Sequence, residues 1–144
     1  MATRGRQSGS EQAYQGTERE QVLKSPLPMA VLVDQGTARA AEILAGALHD
    51  NRRGLLVGDK TFGLCGISKA MPLADGSALL MTVAYCYTPN GQKISGDGIK
   101  PDIEVQKPSE EETKPLTTPN LDPDNDPFVQ QAVEALKSGK APVS

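Results

Sequence analysis

The stretch Asp34-Gln35-Gly36-Thr37-Ala38-Arg39-Ala40-Ala41-Glu42-Ile43-Leu44-Ala45-Gly46-Ala47-Leu48 opens on a glycine turn and passes into a helical period. Just before it, Met29-Ala30-Val31-Leu32-Val33 is a short apolar run rich in β-branched residues. That run predicts a strand buried on both faces. From Ala38 to about Asp50, the residues Ala40, Ile43, Leu44, Ala47 and Leu48 recur at i, i+3, i+4, i+7 and i+8, one face of a helix. Thr37 is the expected N-cap. Burying Ile43, Leu44 and Leu48 would contribute roughly 1.5–3 kcal/mol each. Asn51-Arg52-Arg53-Gly54 ends the helix, and Leu55-Leu56-Val57-Gly58 reads as a second buried strand. Strand, helix, strand predicts a parallel, right-handed crossover. A strand end, a glycine turn and a helix start is also where a hydrolase often presents a nucleophile. Arg39 stands there, and an arginine neither deprotonates nor attacks.

Downstream, Thr61-Phe62-Gly63-Leu64-Cys65-Gly66 is a glycine-flanked loop. Ile67–Pro72 and Ala78–Tyr87 read as strands joined by an Asp75-Gly76 hairpin turn. In the second, Leu80, Thr82, Ala84 and Cys86 share one face; Leu79, Met81, Val83, Tyr85 and Tyr87 share the other. Thr88-Pro89-Asn90-Gly91 turns the chain, and a loop over 96–102 leads into Ile103-Glu104-Val105. Upstream, residues 1–25 are polar, with a strand remnant at Met1–Arg6 and loop or hairpin after it. Residues 107–126 are acidic and proline-rich, a linker composition that buries too little apolar surface for a core. Asp126-Pro127 starts a short helix with Phe128, Val129, Ala132, Val133 and Leu136 on its apolar face; Gly139 stops it.

With 144 residues, the chain suffices for one domain with a modest core. Aromatics make up only 3% and Trp is absent, so Val, Ile, Leu and Ala must fill the interior. The net charge is −3 and the basic residues are scattered, which argues against a nucleic-acid partner. No apolar run approaches the roughly 20 residues of a membrane span. Met1–Arg6 lacks the apolar segment of a signal peptide. Cys65 and Cys86 either pair or stay free, most simply as small buried groups. Two cysteines at that spacing make no metal site by themselves.

In this order, the segments resemble the C-terminal processing peptidases, the tail-specific serine proteases, from about Pro26 to Val105. The family's Gly-Ser/Thr-Ala-Ser-Ala-Ser-Glu-Ile motif reads Gly36-Thr37-Ala38-Arg39-Ala40-Ala41-Glu42-Ile43 here. Its Ala-Gly-Ala-Leu reads Ala45-Gly46-Ala47-Leu48, followed by Asp50. Val57-Gly58-Asp59-Lys60-Thr61-Phe62-Gly63-Leu64-Cys65 matches its Val-Gly-Glu-Lys/Pro-Thr-Phe-Gly-Lys-Gly in part. Pro72–Leu79, Tyr87–Gly91 and Gly96–Asp102 match further motifs in register. The resemblance implies an α/β fold of the ClpP/crotonase-like protease core, here partial: a parallel βαβ unit, β-hairpins and a C-terminal helix. It divides the chain into a partial N-terminal segment (1–25), the core (26–106), the linker (107–126) and the helix with its tail (127–144). It further implies protein C-terminal tails as substrates, no cofactor and no metal. A PDZ domain and further catalytic-domain residues are expected in a longer protein, with self-association of the part alone. The compartment it suggests is a periplasm, cell envelope or thylakoid lumen.

The resemblance also locates the chemistry. In the family a serine attacks the peptide carbonyl, a buried lysine takes its proton, and a glutamine orients the lysine. Those positions fall on Arg39, Leu64 and Ser68. All three depart from the pattern, so the sequence predicts a degenerate site. An active serine endopeptidase and a non-enzymatic peptide-binding or scaffold module are the competing readings. The Ala40 amide is left as half an oxyanion hole. Arg39 either fills the old site and pairs with Glu42, or joins Gly36 and Thr37 in holding a peptide's terminal carboxylate. Cys65 is an alternative nucleophile and His49 the one histidine to serve it, although a solvent-facing residue is the ordinary expectation for His49.

Overall fold

The computed structural model describes residues 1–7, 9–16, 27–105 and 124–141. Among them lie β1 (Ala2–Gly5), β2 (Gln12–Ala13), β3 (Ala30–Val33), α1 (Ala40–Asp50), β4 (Leu55–Gly58), β5 (Gly66–Pro72), β6 (Ala78–Tyr87), β7 (Ile103–Glu104) and α2 (Pro127–Lys137). The architecture is mixed α/β. The expected linker over 107–126 lies almost wholly outside the described residues.

β3 and β4 run parallel, Ala30 opposite Leu55 and Val33 opposite Gly58, with α1 as their connection. β7 adds in parallel to the far side of β4, giving the order β3-β4-β7. The central strand carries the fully buried Leu56 and Val57. β3 departs from its expected burial. Val33 is buried but Leu32 is 45% exposed, β3 lying at the edge of its sheet.

α1 starts at Ala40 with Arg39, not Thr37, as N-cap. It also presents a different face from the expected apolar stripe. Glu42, Ala45 and Gly46 point inward, while Leu44 is 61% exposed and so gains little from folding. Two features set this rotation. Glu42 is drawn inside by hydrogen bonds, and Gly46 lets the helix approach so closely that an added Cβ would meet Ile99 and Thr88 at 3.0 Å.

The antiparallel sheet has the order β2-β1-β6-β5. β1 and β2 realise the N-terminal strand and hairpin, and β5 and β6 realise the long hairpin, Ala70 facing Leu80 and Met71 facing Leu79. Between the sheets sits the core of Val33, Ala45, Leu56, Cys65, Cys86, Ile94 and Ile99. α2 begins at Pro127 as expected, its N-cap Asp126 accepting from the Phe128 and Val129 amides. It packs on β3 and β4 through Ala132 and Ala135; Val133, expected on that face, is 39% exposed.

Candidate functional site

The turn before α1 is built by Asp34, whose carboxylate accepts from the Gly36 and Thr37 amides. The Thr37 hydroxyl in turn accepts from the Asp34 amide. Gly36 and Thr37 are thus committed to the turn, and neither lines the cavity described below. Arg39 follows with φ 56° and ψ −118°. Such a backbone is close to glycine-only, costs about 1–3 kcal/mol, and persists where its surroundings over-determine it.

Those surroundings centre on Glu42, a carboxylate sealed from solvent. Oε1 accepts from the Thr61 hydroxyl at 2.6 Å and the Gly63 amide at 2.7 Å. Oε2 accepts from the amides of Leu64 at 2.9 Å and Arg39 at 3.1 Å. The Arg39 N–H also reaches the Leu64 carbonyl. One carboxylate therefore locks residue 39 to the loop bearing residue 64. The expected pairing of Arg39 with Glu42 through the guanidinium is not formed, because Glu42 is already occupied by these four donors. The Arg39 side chain is exposed instead.

A cavity of about 430 Å³ opens beside this lock. Its walls are Arg39, Ala40, Ile43, Leu64, Cys65 and Cys86, with Met1, Thr3 and Tyr14 on the β1–β2 side. The structure brings Arg39 and Leu64 together on this cavity and leaves out Ser68, the third residue singled out by the resemblance. Ser68 is exposed on β5, opposite Thr82, after a register shift at Ile67/Ser68. Ala40 is the first residue of α1, where helix amides lack an internal partner. The helix N-terminus and Arg39 together make the cavity mouth positive, over mostly apolar walls.

Cys65 and Cys86 are joined by a disulfide. Cys65 is consequently no nucleophile as it stands, and the Cys-His pairing falls. His49 is spoken for as well. Nδ1 lies 3.0 Å from Asp50 and Nε2 3.1 Å from Asp102. It is not the freely solvated residue expected, because the chain returns at Asp102 to cover it. Partial burial opposes its charge, but the carboxylates of Asp50 and Asp102 outweigh that and hold its pKa above the ordinary 6.5. Burial likewise pushes Asp50 up, but hydrogen bonds from Thr88, Asn90 and His49 bring it below its usual range.

Glu42 and Asp102 are the organising residues that sequence reading missed. Both stand inside the quoted motifs, and Glu42 does bond Arg39, through the backbone amide and not the guanidinium. No helix among the described residues is long and apolar enough to cross a membrane.

The sequence pattern of peptidase family S41 matches residues 1–105. The chain belongs to peptidase family S41. Within that family it is a C-terminal processing protease type of domain, as the motifs implied. It is 39% identical over 114 residues to the carboxy-terminal-processing protease of Bartonella bacilliformis, covering 79% of this chain and 26% of that protein. It is 52% identical over 81 residues to the carboxyl-terminal-processing protease of Synechocystis sp., covering 56% of this chain and 19% of that protein. A solved photosystem II D1 C-terminal processing protease matches with a TM-score of 0.53 and 47% identity, over 55% of this chain and 20% of that one. The S41 chain thus spans about a quarter or less of these relatives' length. The mixed α/β architecture is that of part of the S41 protease core.

Proposed function

We propose that this S41 domain lacks the Ser-Lys mechanism and that its cavity holds the C-terminal tail of a peptide. One observation carries the reading. The strained turn at residue 39 opens onto the cavity, with Arg39 and Leu64 at the positions where the family places its serine and lysine. The Arg39 fork suits a terminal carboxylate, and Ile43 and Leu64 suit an apolar last side chain.

An unstructured peptide with an apolar C-terminal residue tests it. The expected result is binding without cleavage, weakened at least tenfold when the terminus is amidated. Cleavage by the unaltered full-length protein that vanishes in Cys65→Ala or Ser68→Ala would overturn the degenerate reading. Cleavage gained only in the combined Arg39→Ser, Leu64→Lys, Ser68→Gln variant supports it.

The β5–β6 hairpin favours a second, compatible role as a structural module. Leu79 is 47% exposed and Met81 42% on one face of β6, and Leu80 is 71% exposed on the other, so both faces of the hairpin show apolar side chains of the kind that mark interaction sites. We propose that it packs against further catalytic-domain residues, alongside a PDZ domain, and that the chain alone self-associates through it. Gel filtration giving a compact, stable monomer counts against this. Chloroplastic and cyanobacterial relatives support a thylakoid lumen or cell envelope as the compartment.

A further inference from the structure

We infer that the Cys65–Cys86 disulfide is a redox gate on the cavity, an inference that rests on the tail-binding reading. Cys65 ends the loop carrying Leu64, and Cys86 lies on β6. Both line the cavity, and both are otherwise buried, at 3% and 2% exposure. The cavity is therefore the route by which a small dithiol reaches the bond.

The backbone on either side does not depend on that bond. The Cys86 amide donates to the Cys65 carbonyl at 3.1 Å, and the Ser95 hydroxyl donates to the same oxygen. The Ile94 amide donates to the Cys86 carbonyl at 3.1 Å, and Glu42 holds the amides of Gly63 and Leu64. Breaking the bond leaves this frame standing, so the change falls on the sulfurs. Two thiols need van der Waals separation, about 3.5–4 Å for atoms of this size. With the backbone held, a sulfur must turn toward open space, and the cavity provides it.

Reduction proceeds by thiolate attack on one sulfur, a mixed disulfide, and closure of the reductant's own disulfide. One S–S bond breaks on the protein and one forms on the dithiol, which passes over two electrons and two protons. The freed Cys65 thiol then lies in a cavity that Arg39 also lines, and a cation in reach favours the thiolate. A thiolate at Arg39 competes with the tail carboxylate for the same fork. The oxidised chain binds tails and the reduced chain does not.

The test uses the full chain, reduced with dithiothreitol without denaturant, its thiols counted, and the apolar-ended peptide titrated into each form. Expected are at least tenfold weaker binding after reduction, recovery on reoxidation, and no dithiothreitol effect in Cys65→Ser/Cys86→Ser. Amide exchange at Leu56 should stay slow in both forms. Complete reduction with unchanged affinity overturns the gate. So does loss of protection at Leu56, which would make the bond a prop of the whole fold. If the oxidised chain binds no peptide, the tail-binding reading fails by itself. Iodoacetamide then decides whether Cys65 couples to Arg39: alkylation of the reduced chain should slow at least threefold in Arg39→Gln, and equal rates overturn the coupling.

Discussion

The Glu42 carboxylate and the Thr61 hydroxyl meet at 2.6 Å where both residues are closed to water. The contact fastens the start of α1 to a loop 19 residues further along the chain. Glu42→Gln keeps the volume but places an NH₂ group against amide donors. It is expected to lower stability by about 2–4 kcal/mol, because buried donors lose a charged acceptor. Urea unfolding of the two proteins measures the difference.

Arg39→Gly should act in the opposite direction on stability. Glycine adopts φ 56° without the steric cost of a Cβ. After allowance for the freer unfolded chain, a gain of about 1 kcal/mol is expected. The same variant should lose at least tenfold in tail affinity. Thermal unfolding and peptide titration on one preparation reveal whether strain and binding trade against each other.

The His49 clamp has a signed pH dependence. A folded pKa raised above 6.5 gives a contribution fully present below that value and lost as pH climbs through the folded pKa. Asp50 is shifted the other way, so its contribution is present above its ordinary 3.8 and fades as pH falls through its lowered value. The stability gap between the native chain and His49→Gln should therefore be wider at pH 5.5 than at pH 8.5. An equal gap at both pH values would show that His49 works as a neutral packing residue.

Gly58 has φ 135°, and a Cβ there would lie 2.0 Å from the Val33 carbonyl and 2.9 Å from Phe128. Gly58→Ala is expected to cost about 3–5 kcal/mol, strain and overpacking together. Asp126→Ala, which removes only the cap of α2, should cost about 1 kcal/mol. Parallel urea titrations rank the two, and a reversed order would show that α2 contributes more than its contact with Gly58.

The sequence made the elements legible because their signals are local. β6 falls on Ala78–Tyr87 as the alternation predicts, and Asp75-Gly76 turns the hairpin with Gly76 at φ 86°. Facing was harder to read. The apolar stripe of α1 pointed to Leu44, yet hydrogen-bond satisfaction of Glu42 and the close approach at Gly46 won, and both depend on residues from 61 to 99. At the site, the resemblance singled out Arg39 and Leu64, and the structure sets both on one cavity. Nothing local showed that Cys65 would bond to Cys86, or that Asp102 would return 53 residues later to clasp His49.

The docking of α2 on β3 and β4 has a bearing on how the chain is made. A domain is synthesised from its N-terminus at about 5–20 residues per second. The last strand of the parallel sheet ends at Glu104, while the helix that covers β3 and β4 is complete only at Lys137. At that rate α2 is finished roughly 2–7 s after the last of these strands has been synthesised, and until then their apolar face has no lid. A nascent chain of this kind invites a chaperone during that interval, and the acidic, proline-rich stretch 107–126 is what the ribosome is adding meanwhile.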